Sequence, residues 1–176
     1  MTELELDEDQ QPDLPREGRL FGIDFGTVRI GLATCDPSQT WVTPFETYNR
    51  RNERLDEKYF VELAQKEEIA GWVIGLPIHC DGKESQKSGE VRAFATWLTE
   101  RTELPYAFFD ERFTTKEAKR LMQDSELSFA KRKKRVDRLA AHLILNNYLE
   151  NRRAREEWED REVSHNEALD DGPTTP

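Results

Sequence analysis

The chain has 176 residues, which suits one domain with a substantial core, and a formal net charge of −10 that taken alone argues against a nucleic-acid partner. That average is misleading, because residues 1–18 carry a net charge of −6, residues 151–176 carry −4, and residues 19–150 are neutral. Two cysteines without metal-binding spacing, a polar N-terminus and the lack of a long apolar run predict a soluble, cytoplasmic protein.

The two acidic ends differ in composition from the rest of the chain. Residues 1–17 are too polar to bury apolar surface, so we expect a disordered acidic tail there. The domain is predicted to span residues 18–150. Residues 151–176 are expected to form a charged, mostly disordered tail, in which residues 152–161 extend the last helix and residues 163–176 are disordered.

Between the tails, hydrophobic periodicity predicts three strands followed by alternating helices and strands. The strands are expected at 19–25, 28–33, 41–48, 71–77 and 104–109, and the helices at 52–68, about 86–100, 114–122 and 136–150. Pro44 favours an edge position for the third strand, because proline cannot donate to a strand ladder. The pattern predicts an α/β fold: a mixed five-stranded sheet, three antiparallel strands then two parallel, with helices on both faces.

Acidic residues from separate elements are expected to meet at one edge of this sheet. Asp24 ends the first strand, Asp110 and Glu111 follow the last strand, and Asp137 opens the last helix. Carboxyl ends of parallel strands form the ligand crevice in such sheets. Adjacent strand residues point to opposite faces, so only one of Asp110 and Glu111 can join the others, and strand alternation alone leaves both open.

Crowded carboxylates repel one another unless a divalent cation compensates their charge. Mg²⁺ or Mn²⁺ prefers such oxygen ligands and, at a phosphodiester, activates water for in-line attack, so the acids predict a nuclease. Basic residues expected to bind the phosphates of the nucleic acid are Lys83, Lys87, Arg92, Arg112, Lys131, Arg132, Lys133, Lys134 and Arg135.

Each of these features has a purely structural interpretation when taken singly. Asp24 could bond to the amides of a turn, and Asp137 could be the N-cap of its helix. Asp110, Glu111 and Arg112 could form a surface ion-pair cluster, and the basic run could be a solvated helix face. The convergence of three acids from separate elements favours the nuclease interpretation over these.

Four segments of the sequence resemble the YqgF/RuvX family, and they occur in the same order over about residues 18–150. They are Gly-Ile-Asp-Phe-Gly-Thr-Val-Arg-Ile-Gly-Leu-Ala at 22–33, Val-Ile-Gly-Leu-Pro at 73–77 with Asp81-Gly82, Asp-Glu-Arg-Phe-Thr-Thr at 110–115, and Val-Asp-Arg-Leu-Ala-Ala at 136–141 with Tyr148-Leu149. The resemblance implies an RNase H-like fold and a cytoplasmic, metal-dependent nuclease that processes the 5′ end of pre-16S rRNA in ribosome biogenesis. It also implies that Asp24, Glu111 and Asp137 are the catalytic, metal-binding acids.

The resemblance leaves other functions open. Members are also described as resembling Holliday-junction resolvases, which cut branched DNA, but this chain has Gly75 and Leu76 where a junction resolvase would have an acid. A non-enzymatic RNA-binding factor in ribosome assembly would use the same basic edge. Nucleotide binding of the actin-like kind would need a second lobe that a chain of this length does not show. The sequence is compatible with a monomer or a homodimer.

Overall fold

A computed structural model of the protein describes residues 13–77, 86–110 and 129–170, with the side chains of 129–133 and 162–170 left undescribed. The strands are β1 (Arg19–Phe25), β2 (Arg29–Cys35), β3 (Val42–Asn49), β4 (Ile69–Leu76) and β5 (Tyr106–Asp110). The helices are α1 (Glu53–Lys66), α2 (Gln86–Thr102) and α3 (Phe129–Asp170). In the described part of the chain no helix is both long and apolar enough to cross a lipid bilayer.

The five strands form one mixed sheet in the order β3-β2-β1-β4-β5. β1 pairs antiparallel with β2, and β2 with β3, whereas β4 pairs parallel with both β1 and β5. The predicted sheet is therefore confirmed, and Pro44 lies in β3 at one edge as expected. Asn52 caps α1 by accepting a hydrogen bond from the backbone N–H of Leu55 at 3.0 Å.

Helices α1 and α2 cover one face of the sheet through an aromatic core. Phe60 of α1 is fully buried and lies edge-on to Trp72 of β4 and Phe94 of α2, with ring centroids 6.1 and 5.7 Å away. Burial of such large rings is the main source of stability on this face. The same core includes the odd-numbered residues of β1, which are Phe21, Ile23 and Phe25.

Helix α3 covers the opposite face and lies unusually close to β1 and β2. A Cβ atom added to Gly31 would lie 2.0 Å from the carbonyl oxygen of Asp137, and one added to Gly22 would lie 2.6 Å from that of Ala141. Only glycine leaves room for the helix backbone at these points. The close contact between helix and sheet agrees with the small, buried Ala140 and Ala141 on the facing side of α3.

The structure corrects the predicted bounds of the last helix. α3 begins at Phe129 rather than near residue 136, and it continues to Asp170. Residues 131–135 are good helix formers and extend the helix backwards. Residues 163–170, expected to be disordered, are helical, because lengthening an existing helix needs no new nucleus.

The N-terminal boundary also differs from the expectation. Leu14 was expected in a disordered tail, but it is 1% exposed and belongs to the core beneath α3. The carbonyl oxygen of Pro15 accepts a hydrogen bond from Gln39 at 2.9 Å, and Arg16 pairs with Glu156 of α3 at 2.8 Å. Residues 1–12 and the helix predicted at 114–122 lie outside the described residues.

Candidate active site

Asp24 and Asp137 meet on the face of the sheet that α3 covers. Asp24 pairs with Gly31 across the β1–β2 ladder, so the side-chain positions of both residues lie on the same face. The Cβ direction of Gly31 points at the backbone of Asp137, with a contact of 2.0 Å. Directly opposed side chains in a sheet start about 5 Å apart, so the Cβ position of Asp24 lies near the backbone of Asp137. Two of the three predicted acids are thus brought together.

Asp137 occupies a different position in its helix from the one that the sequence predicted. It was expected to open the helix, but α3 begins eight residues earlier, at Phe129. The N-cap interpretation is therefore wrong, and the carboxylate is available for contacts with the sheet. Arg29 donates from Nε to Oδ2 of Asp137 at 2.8 Å, and both side chains are only about one-fifth exposed.

Arg29 was not among the site residues predicted from the sequence. It stands two positions before Gly31 in β2, so strand alternation puts it on the same face as Gly31 and the Asp24 side chain. This spacing was a usable signal in the sequence. The guanidinium supplies one positive charge where two carboxylates approach each other, which reduces their mutual repulsion.

Asp110 lies on the other face of the sheet. It pairs with Leu76 at the end of β5, and alternation groups it with Tyr106 and Phe108, which pack against the aromatic core. Phe109, between Phe108 and Asp110, packs against the core beneath α3. Asp110 is therefore not on the face that carries Asp24, and the predicted third acid, Glu111, lies outside the described residues.

Only part of the predicted basic set falls in the described residues. Lys87 is exposed in the first turn of α2, beside Ser88, whose hydroxyl donates to the carbonyl oxygen of Pro77 just after β4. Lys134 is exposed on α3, and its carbonyl oxygen accepts a hydrogen bond of 2.7 Å from the hydroxyl of Thr47. The predicted residues whose side chains lie outside the described part of the chain are Lys83, Arg112, Lys131, Arg132 and Lys133.

Among the side chains that the structure describes, no three or more metal-ligating groups lie close enough together to hold an ion. Asp24 and Asp137 contribute two carboxylates to one face, and such hard oxygen donors suit a divalent cation. The guanidinium of Arg29 already compensates the charge of the Asp137 carboxylate. The donor set and the local charge therefore fit a site that accepts positive charge.

Comparison with known proteins identifies relatives that span most of the chain. Residues 18–151 match the family model described as "RuvX: Holliday junction resolvase". A protein of Rhodopirellula baltica is 46% identical over 89% of this chain and 92% of its own, and one of Koribacter versatilis is 42% identical over 77% and 88%. Both are named "Putative pre-16S rRNA nuclease".

Solved structures with the same fold are more distant in sequence. RuvC of T. thermophilus, in complex with a Holliday junction substrate, aligns with a TM-score of 0.50 at 12% identity, over 78% of this chain and 96% of that one. Fowlpox virus resolvase, in complex with Holliday junction DNA, aligns with the same TM-score and identity, over 76% and 97%. These alignments support the RNase H-like fold, and the sequence relatives go further: the chain belongs to the RuvX family.

Proposed function

We propose that the protein is a metal-dependent nuclease that processes the 5′ end of pre-16S rRNA in the cytoplasm during ribosome biogenesis. The observation that supports this most directly is the meeting of Asp24 and Asp137, 113 positions apart in the sequence, on one face of the sheet. The name shared by the relatives in Rhodopirellula baltica and Koribacter versatilis supports the choice of substrate.

Asp24, Asp137 and, from its place in the sequence, Glu111 are the proposed ligands of Mg²⁺ or Mn²⁺. When bound, such an ion polarises the phosphodiester and lowers the pKa of an attacking water. Arg29 holds one oxygen of Asp137, which keeps the carboxylate in one orientation. The second oxygen of that carboxylate is the proposed donor to the ion.

Phosphate contacts are proposed for the basic residues at the same edge. Lys87 and Lys134 are exposed, which suits an ammonium group that meets the RNA backbone. Lys131 and Lys133 precede Lys134 in the same helix. Charge reversal of these three α3 lysines is expected to weaken RNA binding and to flatten its salt dependence.

The test is cleavage of a precursor rRNA 5′ extension by purified protein with Mg²⁺ or Mn²⁺. Asp24→Asn is expected to abolish cleavage and to leave RNA affinity intact or stronger, because a carboxylate that repels phosphate is removed. The matched control is Asp110→Asn, which makes the same chemical change on the opposite face and should retain activity. Cleavage by Asp24→Asn at the wild-type rate would remove this residue from the reaction.

Junction resolution is the second candidate, because the matching family model is described as a Holliday junction resolvase. The edge of β4 argues against it, since Leu76 is 1% exposed and no acid stands at 75 or 76. Parallel digestion of precursor rRNA and a four-way DNA junction separates the two functions. RNA binding without cleavage of either substrate would instead identify an assembly factor that is not an enzyme.

A further inference from the structure

A cleft of about 690 Å³ lies on the aromatic face of the sheet, at the same end of β1 as the paired acids. We call it the hairpin cleft. Its lining combines apolar and aromatic side chains with two arginines and three carboxylates: Phe25, Val28, Phe94, Trp97, Arg50, Arg51, Glu53, Asp56 and Glu90. Phe25 directly follows Asp24 and points to the opposite face. A nucleic-acid strand that passes from the acids across the β1–β2 turn would therefore enter this cleft next.

A buried carboxylate fixes Arg50 in the cleft. Asp56 is 2% exposed and accepts hydrogen bonds from Arg50 Nε at 3.1 Å, the Arg51 backbone N–H at 3.0 Å and the Tyr48 hydroxyl at 2.8 Å. The Arg50 guanidinium lies over the Phe25 ring, 5.3 Å from its centroid. These contacts fix the orientation of the Arg50 guanidinium, so a ligand would bind to it without a large loss of side-chain entropy.

The other charged and aromatic groups of the cleft are Arg51, Trp97, Glu53 and Glu90, and the Glu90 carboxylate accepts a hydrogen bond from Gln86 at 3.2 Å. Arg51 is exposed at the rim, with its guanidinium 5.8 Å from the Tyr48 ring centroid. Trp97 is half-buried in the wall. The nearby carboxylate of Glu53 is held by Arg101 and by the indole N–H of Trp97, both at 3.3 Å, so its charge is partly compensated.

We propose that the hairpin cleft binds the single-stranded RNA that flanks the cleavage point, an inference that rests on the proposed nuclease function. Bases stack on guanidinium planes in single-stranded RNA recognition, and Arg50 supplies such a surface. The Trp97 ring forms the neighbouring wall, where it stacks with Phe94 and lies under the Arg101 guanidinium. Arg51 meets the phosphates. The volume is in the range of pockets that hold small ligands, and one or two nucleotides fill it.

The test measures binding of RNA hairpins by fluorescence anisotropy in EDTA, so that cleavage does not interfere. One hairpin is blunt, and two others carry a single-stranded extension of roughly six nucleotides at the 5′ or the 3′ end. One of the extensions is expected to strengthen binding to the wild-type protein about tenfold, which is within the range for a stacked base. Arg51→Glu should abolish that gain and leave the affinity for the blunt hairpin unchanged.

Arg54→Glu is the matched control, because Arg54 is exposed near the start of α1 but does not line the cleft. It makes the same charge change and should retain the gain. Val28→Glu, at the other rim, should lose the gain in affinity, because the new carboxylate repels the RNA phosphates. Val28 is 68% exposed, so its replacement does not disturb the core. Arg50 is left unchanged, because its removal would strand the buried Asp56 carboxylate.

The proposal is overturned if neither extension strengthens binding, or if Arg51→Glu keeps the full gain. Failure of the nuclease function gives a different result. In that case the wild-type protein leaves the extended hairpins and the precursor rRNA uncut in Mg²⁺ or Mn²⁺, while the extension-dependent gain in affinity and its loss in Arg51→Glu remain.

Discussion

The two faces of the sheet are built from the same strands but in opposite ways. On the α1/α2 face, β1 contributes Phe21, Ile23 and Phe25 to a core of interlocking rings. On the α3 face, the same strand contributes Leu20, Gly22 and Asp24, and a helix backbone lies directly against the glycine. The α1/α2 face, which we call the aromatic face, is stabilised by the apolar area that its side chains bury. On the α3 face, which we call the glycine face, β1 buries less side-chain area, and the backbone of α3 lies close enough to bring Asp137 to the face that carries Asp24.

This difference predicts how the two faces respond to mutation. Damage to the aromatic face should lower stability without altering the positions of the acids. Substitutions on the glycine face should lower both the free energy of unfolding and the rate of RNA cleavage. The variants below test that distinction, in order of the expected loss of stability.

Phe60→Ala should be the most destabilising change, at about 3–5 kcal/mol, because it removes a fully buried ring from the centre of the aromatic core. Urea denaturation followed by tryptophan fluorescence measures the loss. Cleavage per folded molecule at saturating RNA, measured well below the midpoint of unfolding, should stay close to wild type. A large loss of specific activity would show that the aromatic face also positions the acids.

Gly31→Ala should cost about 2–3 kcal/mol, because the new methyl group would lie 2.0 Å from the Asp137 carbonyl oxygen and α3 must move away. This smaller loss should be accompanied by loss of cleavage and weaker Mn²⁺ binding, measured by calorimetry. Gly89→Ala is the control, since nothing lies within 4 Å of its added Cβ and alanine favours a helix. Metal binding retained by Gly31→Ala would show that the close contact between α3 and Gly31 does not position the metal-binding acids.

Arg29→Ala should cost about 1 kcal/mol in EDTA, because it breaks a partly buried ion pair and leaves the two acids less compensated. Added Mn²⁺ should raise the melting temperature of this variant more than that of the wild type, since the ion takes over the charge of the lost guanidinium. Arg29→Lys keeps the charge and should behave more like the wild type. Equal Mn²⁺ stabilisation of the wild type and Arg29→Ala would exclude this role.

Asp36→Asn should have the smallest effect, and one that depends on pH. The Ser38 hydroxyl, followed by the backbone N–H of Trp41, lowers the pKa of Asp36 from 3.8 to about 2. A carboxyl group with a lowered pKa stabilises the fold above the unfolded value, and the contribution is lost as the pH falls through the folded value. The variant should therefore be less stable than the wild type above about pH 4, and the difference should shrink as the pH falls and vanish below about pH 2.

The outcome for Asp36→Asn is measured by thermal melts across this pH range. The residue lies in the β2–β3 connection, away from both the acids and the hairpin cleft. Cleavage at neutral pH should be unaffected. A constant difference between the two proteins at all pH values would show that the carboxylate does not stabilise this loop through its charge.

The sequence alone determined the order of the strands and helices and the mixed sheet, because alternation along strands and periodicity along helices follow from local geometry. It also predicted that Asp24 and Asp137 lie together, and their role in catalysis stays a prediction. It underestimated α3, whose charged second half lacks an apolar stripe, and it misjudged Leu14, since one apolar residue in an acidic segment forms no pattern. Local patterns predict helices and strands, but they do not predict which distant residues an isolated apolar side chain will contact.

Only the tertiary structure decided three features of the candidate site. It brought Arg29 to Asp137, 108 positions away in the sequence, and it put Asp110 on the face opposite Asp24. It also formed the hairpin cleft from the end of β1, the β1–β2 turn, the β3–α1 connection and helices α1 and α2. The physical reason is common to all three: pairing register and the close approach of α3 at Gly31 set which side chains meet, and these arise when distant segments pack.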